Sequence, residues 1–424
     1  MSTTTVIVIA IVIFGWSIVS EAIAARDLTG PLVFLVAGLL LANPNWGIVT
    51  VDVESSTVHL LAELTLALLL FADASGVPFT AARQDLPLTS RLLGIGLPLA
   101  IIAGVGLAVL FFPTLPLALA GLIAASLAPT DAALSASVIA DERLPTRVRR
   151  VLNVESGLND GIATPVVTFC IASAATVLGL TAHHDEAGFS ALGQLAIGAA
   201  IGAGIALVGG GLLTVAHRRG WMQHGSRRLA TLALALLAFL IASEAGGNPF
   251  VSAFVGGLTF GAIARNDAVE SVELAELGGS LLSLVLWFVF GAAFVTPAFE
   301  NLEARVVVYA VCSLTVIRMV PVAIALIGSG QERATVAFIG WFGPRGLASV
   351  VFALLAIEEL GNTDPRVLTA VHTIAITIVL SVVAHGLTGR PLAGRYLAAI
   401  AAPPPRTNPA STSAGDHGRP EVAT

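Results

Sequence analysis

Within six consecutive residues, Glu155-Ser156-Gly157-Leu158-Asn159-Asp160, the chain sets two carboxylates, a hydroxyl and an amide. On a helix, Ser156 and Asp160 are four apart and share a face, and Glu155 and Asn159 share the neighbouring one. Oxygens of this kind are the ligands that hard cations take, and a carboxylate can hold a proton in place of the cation. Two more motifs carry charge beside a proline: Ala128-Pro129-Thr130-Asp131 and Gly343-Pro344-Arg345-Gly346. Proline removes a backbone donor and crowds the turn before it, so each motif interrupts a helix and frees backbone polar groups next to a charge. Glu63, Asp73 and Arg318 complete the ionisable residues in apolar surroundings. Acids outnumber bases among these seven, an imbalance that a site attracting cations would have.

The elements that must position these residues are set by composition. Of 424 residues, 56% are hydrophobic and 11% charged, with mean hydropathy +0.90. A soluble protein carries roughly 25% charged residues, so lipid must be the solvent for much of this surface. A bilayer core needs about 20 apolar residues in a helix. That window predicts an all-α integral membrane bundle of about thirteen transmembrane helices, near 4–24, 29–44, 57–76, 90–112, 115–138, 148–178, 189–216, 228–245, 248–264, 274–297, 304–328, 333–358 and 366–389. The span at 148–178 is over-long and polar at its start, so part of it faces protein or water. Residues 1–398 read as one transmembrane domain. Residues 399–424, with Pro403-Pro404-Pro405, read as a disordered cytoplasmic tail.

All 21 basic residues are arginine. With the amino terminus outside and thirteen spans, seventeen arginines fall in cytoplasmic loops and the tail, against Arg305 and Arg366 opposite. The positive-inside rule thus supports an inner-membrane protein with a cytoplasmic carboxyl terminus. Met1 to Thr5 contain no basic residue, so the first helix reads as retained, not as a cleaved signal. Cys170 and Cys312 lie in apolar runs and read as small buried hydrophobes. No basic cluster interleaved with aromatics supports nucleic-acid binding. Gly257 and Gly261 read as packing positions that let helices approach.

Thr130-Asp131, Asn153 through Gly161, and Trp341-Phe342-Gly343-Pro344-Arg345-Gly346 resemble the sodium/proton antiporters of the monovalent cation/proton antiporter superfamily, closest to the electroneutral NhaP-type branch. The likeness runs from Leu64 to His385. It implies the NhaA-like antiporter fold, with inverted repeats and two broken crossing helices, and a homodimer of protomers that each pair a core with an interface domain in elevator-like alternating access. It implies that Asp160 binds Na⁺ or H⁺, with Thr130, Asp131 and Ser156 helping to coordinate the ion. Asn159 stands where electrogenic relatives carry a second acid. Glu155 matches a structural acid paired with Arg318, and Arg345 matches the base that balances the broken helices. Asp73 falls near an access funnel, by a looser match. Glu63 has no assigned role.

The expected function is exchange of a monovalent cation, Na⁺ with Li⁺ or K⁺ as alternatives, for H⁺, with no enzymatic activity and no cofactor beyond the transported ions. Competition near neutral pH requires a carboxylate that titrates above the ordinary value of about 3.9, which partial burial supplies. One exchangeable acid fits an electroneutral one-for-one trade. A K⁺/H⁺ exchanger or K⁺-efflux system is the nearest rival. A channel would need a continuous pore and gives no reason for a solitary protonatable acid beside broken helices. A membrane aspartyl protease would need two acids in Gly-Asp motifs, and Gly415-Asp416 lies in the tail.

Overall fold

A computed structural model describes residues 2–24, 28–43, 47–77, 86–131, 133–135, 138, 141–180, 187–223 and 225–401. The helices are α1 (Thr3–Ala24), α2 (Gly30–Leu41), α3 (Ser56–Ser75), α4 (Leu86–Phe111), α5 (Leu117–Ser126), α6 (Thr146–Val177), α7 (Ala187–Arg218), α8 (Ser226–Glu244), α9 (Pro249–Ala264), α10 (Ala268–Glu300), α11 (Ala304–Ala325), α12a (Arg333–Trp341), α12b (Leu347–Leu360) and α13 (Pro365–Ala401). Nine of the described helices are long and apolar enough to cross a membrane; α2, α5 and α9 are shorter apolar ones, and α12 is two pieces. Together they account for the thirteen expected spans. The second half of the span expected at 115–138 is described only in part, with a 3-10 turn at Ala133–Ser135. Helix α13 extends beyond residue 398; the expected tail from residue 402, with Arg406 and Arg419, and also Arg26 and Arg83, lie outside the described residues.

The helices sort into two layers. In the first, α9 packs against α7 and α3, and α10 against α2 and α3, with α8 filling between them and α1 beside α2. In the second, α5 packs between α4 and α6, and α13 runs along α11 and both halves of α12. The layers meet where α3 and α9 face α6, and where α3 and α10 face α12b. Glycine sets the tightest contacts of the first layer. A Cβ on Gly257 or Gly261 of α9 would lie 2.4 and 2.5 Å from the Phe71 and Ser75 carbonyl oxygens of α3, so only glycine lets these backbones touch. Gly38 of α2 and Gly291 of α10 meet the opposing Phe288 and Leu35 carbonyls in the same way.

Two six-helix halves, α1–α6 and α8–α13, flank α7. Corresponding members are offset by seven in the order of spans, an odd number, so the halves run in opposite directions, as expected of inverted repeats. The fifth member of each half, α5 and α12, is the broken one. The fourth members are interrupted as well: α4 carries a π-turn at Leu92–Gly96, and α11 breaks at Thr315.

Candidate functional site

Helix α5 stops at Ser126 and α12a at Trp341, in each case just ahead of a proline that disfavours helical geometry in the residue before it. The two extended segments cross: the Asp131 amide donates to the Pro344 carbonyl at 2.9 Å. Gly343 and Gly346 allow the crossing. A Cβ on Gly346 would sit 2.0 Å from the Asp131 side chain, and one on Gly343 would sit 2.5 Å from Arg318 Nε.

Each break carries the charge that the other lacks. Arg345, fully buried, donates to the carbonyls of Ala128 and Pro129 at 3.0 and 3.2 Å, beyond the last turn of α5, and to the Ser313 carbonyl at 3.2 Å on α11. Asp131 accepts from the Leu347 amide, the first of α12b, at 3.0 Å through Oδ2, and from the Ala133 amide at 2.8 Å through Oδ1. A cation thus meets the negative end of one helix and an anion the positive end of the other. The sequence reading placed Asp131 among the ion ligands. In the structure its carboxylate oxygens are turned to backbone amides that no motif spacing shows.

Helix α6 lays its polar face on this crossing. Ser156 Oγ donates to the Thr130 carbonyl at 2.7 Å, and Asn159 Nδ2 to Thr130 Oγ1 at 2.7 Å. Thr130, Ser156 and Asn159 are all buried. Asn159 Oδ1 has no donor among the described residues. Asp160, one turn beyond Ser156, is half-buried, and its carboxylate makes no hydrogen bond or ion pair among the described residues. It lies within electrostatic range of Asp131 and Asp73. Asp73 packs on the same helix, where a Cβ on Gly157 would lie 3.5 Å from its own Cβ. Its side chain is exposed between the buried Ala72 and Ala74, a position that requires water, since hydrocarbon would exclude a carboxylate.

Glu155 and Arg318 pair at 2.7 Å, both buried, joining α6 to α11. The sequence brought together Thr130, Asp131, Ser156, Asn159, Asp160, Glu155, Arg318, Arg345 and Asp73, and the structure collects all of them around the crossing. Glu63 stands apart, ten positions from Asp73 on α3, beside His59, Glu358 and Glu359. There His59 Nδ1 pairs with Glu358 at 2.9 Å and its Nε2 meets the Val53 carbonyl. Sequence reasoning missed this ion pair. It also missed Ser349, which bonds the Ser126 carbonyl at 2.6 Å, and Ser381 and His385 on α13, polar residues four apart on an apolar helix.

The chain matches the transmembrane sodium/hydrogen exchanger family over residues 6–395. It belongs to that family. Relatives of this transporter family include the uncharacterized Na⁺/H⁺ exchanger YjcE of Escherichia coli K12, 28% identical over 61% of this chain and 46% of that protein. The sodium, potassium, lithium and rubidium/H⁺ antiporter of Bacillus subtilis 168 is 28% identical over 62% and 38%. The K⁺/H⁺ antiporter NhaP2 of Shewanella is 25% identical over 76% and 55%. The chain thus spans about half the length of these curated relatives. Among solved structures, the sodium proton antiporter MjNhaP1 of Methanocaldococcus jannaschii aligns over 93% of this chain and 98% of its own, with a TM-score of 0.72 at 21% identity. The chain is therefore a multi-pass membrane protein with the antiporter fold of this exchanger family.

Proposed function

We propose that the protein exchanges a monovalent cation, Na⁺ in the first instance, for H⁺ by alternating access, one for one. The observation that carries this reading is the Asp160 carboxylate, half-buried and without a hydrogen-bond partner among the described residues, one turn from the Ser156–Thr130–Asn159 cluster. An acid so placed can hold a cation or a proton but not both, which is the minimum an exchanger requires. The Ser156 and Thr130 oxygens and Asn159 Oδ1 complete an oxygen-lined approach, and Asp73 leads to it from water. Asp131 and Arg345 hold the two helix breaks, and Asp131 adds negative potential within reach of the ion. Glu155 holds Arg318 away from Asp160, so that this arginine does not replace the cation.

Asn159, an amide where a second acid would change the charge moved, supports an electroneutral cycle. Moving one net charge through 100 mV involves about 2.3 kcal/mol, and a one-for-one trade avoids that term. The protein works in an inner membrane with its amino terminus outside, as a homodimer. The apolar outer surface of α1, with Phe14 69% and Ile18 68% exposed, is available to lipid or to a second copy. A K⁺/H⁺ exchanger is the second reading, because the relatives of this chain include antiporters named for K⁺.

Proteoliposomes loaded with a proton gradient and given Na⁺, Li⁺ or K⁺ in turn test both readings. Na⁺-driven proton movement is expected to be insensitive to a clamped membrane potential and abolished by Asp160→Asn in a protein that still folds. Retained exchange in Asp160→Asn overturns the site assignment, and a strong voltage dependence overturns the stoichiometry.

A further inference from the structure

We propose that His385 of α13 is a positioning residue for the ion site, fixing the break in α12 from which Arg345 reaches across. This role rests on the exchange reading above and assigns a regulator of that site's geometry on a helix that supplies no ion ligand. The break leaves the last carbonyl of α12a and the first amides beyond it without helical partners. Two residues on one face of α13 supply partners, a third holds the Trp341 ring, and the Trp341 carbonyl also accepts from the Gly343 amide at 2.8 Å. His385 Nε2 meets the Trp341 carbonyl at 2.9 Å, the final residue of α12a. Ser381 Oγ accepts from the Arg345 amide at 2.7 Å. Thr388 Oγ1 accepts from the Trp341 indole at 3.0 Å, and that indole stacks on the His385 ring with centroids 5.2 Å apart.

Each ring nitrogen faces a carbonyl, which only accepts: Nε2 faces that of Trp341 and Nδ1 that of Ser381 at 2.8 Å, with the Ser381 hydroxyl 3.3 Å from Nδ1. Whichever nitrogen carries the proton, the imidazole bridges the end of α12a to the serine that holds Arg345. Ser381 and Arg345 are fully buried and His385 is 4% exposed, so water cannot stand in for Ser381 at the Arg345 amide. The chain of contacts is short. His385 fixes Trp341 and Ser381, Ser381 fixes the Arg345 backbone, and the Arg345 side chain holds Ala128 and Pro129, next to Thr130. A shift at His385 is thereby delivered to Thr130, which bonds Ser156 and Asn159 one turn from Asp160.

The test compares His385→Leu, His385→Gln and Ser381→Ala in proteoliposomes, with Na⁺ varied and amide hydrogen exchange followed over residues 343–347. Glutamine offers an N–H to the Trp341 carbonyl and an oxygen to the Ser381 hydroxyl; leucine offers neither. Loss of one buried hydrogen bond at the break is expected to raise the KM for Na⁺ about tenfold in His385→Leu, with kcat changed about twofold or less. His385→Gln is expected to restore KM to within about threefold of the native chain. Ser381→Ala is expected to raise KM and to speed exchange of the Arg345 amide. The proposal is overturned if folded His385→Leu keeps the native KM, or if His385→Gln is as impaired as His385→Leu. Should His385→Leu fail to fold, Ser381→Ala decides: native KM and native Arg345 amide protection overturn the proposal. If the native chain moves no cation at all, the exchange reading fails, and amide protection in Ser381→Ala and His385→Gln still reports on the clamp.

Discussion

Glu155 and Arg318 are both buried, yet they share a single hydrogen bond, and Glu155 Oε2, Arg318 Nε and Arg318 Nη2 have no partner among the described residues. Two desolvated charges joined this sparingly do not add much stability as a pair, but either one alone would be an uncompensated buried charge. Arg318→Ala is therefore expected to cost about 3–5 kcal/mol, and Glu155→Leu with Arg318→Met to recover most of it. Thermal unfolding in detergent measures both, and an unchanged midpoint in Arg318→Ala would remove the pair from any structural role. The individual acids were legible in the sequence because a charge inside an apolar run is costly wherever it occurs. Their partners were less so. Glu155 and Arg318 are 163 positions apart, and only resemblance to a family joined them. The amides that hold Asp131 belong to backbone, and no side-chain pattern announces a backbone donor 216 positions away. Ser381 and His385 did leave a signal, two polar residues one turn apart on an apolar helix, which a survey restricted to carboxylates and arginines passes over.

At the scale of elements, the two interruptions work only together. Arg345 serves the end of α5 and Asp131 the start of α12b, so a change that moves one segment leaves the other with an unbalanced dipole. Gly346 is the position least able to change: an added methyl would overlap the Asp131 side chain at 2.0 Å. Gly346→Ala is expected to destabilise the protein by about 1–3 kcal/mol and to reduce exchange far more than that loss explains. Exchange rate per folded molecule, with folded protein counted by size-exclusion chromatography, separates the two effects. Native exchange in Gly346→Ala would show that the crossing tolerates displacement. Most helices were readable with ends only a few residues off, because bilayer thickness fixes their length; α10 starts at Ala268 against an expected 274, α5 stops at Ser126 against 138, and α13 runs to Ala401 against 389. The interruptions of α4 and α11 were not readable. A π-turn at Leu92–Gly96 needs no proline or charge to mark it, and the break at Thr315 lies between apolar neighbours.

At the scale of the whole molecule, few polar ties join the layers. His59 of α3 and Glu358 of α12b form one, at the end of α3 remote from Asp73. Asp73 is exposed, while the far end of α3 is tied to α12b. The proposed alternating access requires the tie to separate when the site turns to the other face. An ion pair with one partner about a third exposed contributes about 0.5–1 kcal/mol, equivalent to a two- to fivefold shift in population. Glu358→Gln is expected to speed thiol labelling of Glu63→Cys by that factor, in a chain lacking Cys170 and Cys312. Unchanged labelling would mean that the tie does not restrain the layers.

The glycine contacts of the first layer carry a mechanical consequence. Where α9 lies on α3 and α10 on α2, main chain presses on main chain, and such seams cannot creep without breaking helical geometry. Helix α6 meets the same layer differently: Gly157 faces the Asp73 side chain, and Gly161 is a notch filled by the Phe254 ring. Rings and carboxylates can rotate where a carbonyl cannot. Shear resistance is therefore lower along that boundary than along the glycine seams of the first layer, as on the cleavage plane of a layered crystal, so that layer is built to move as one slab with those seams shut.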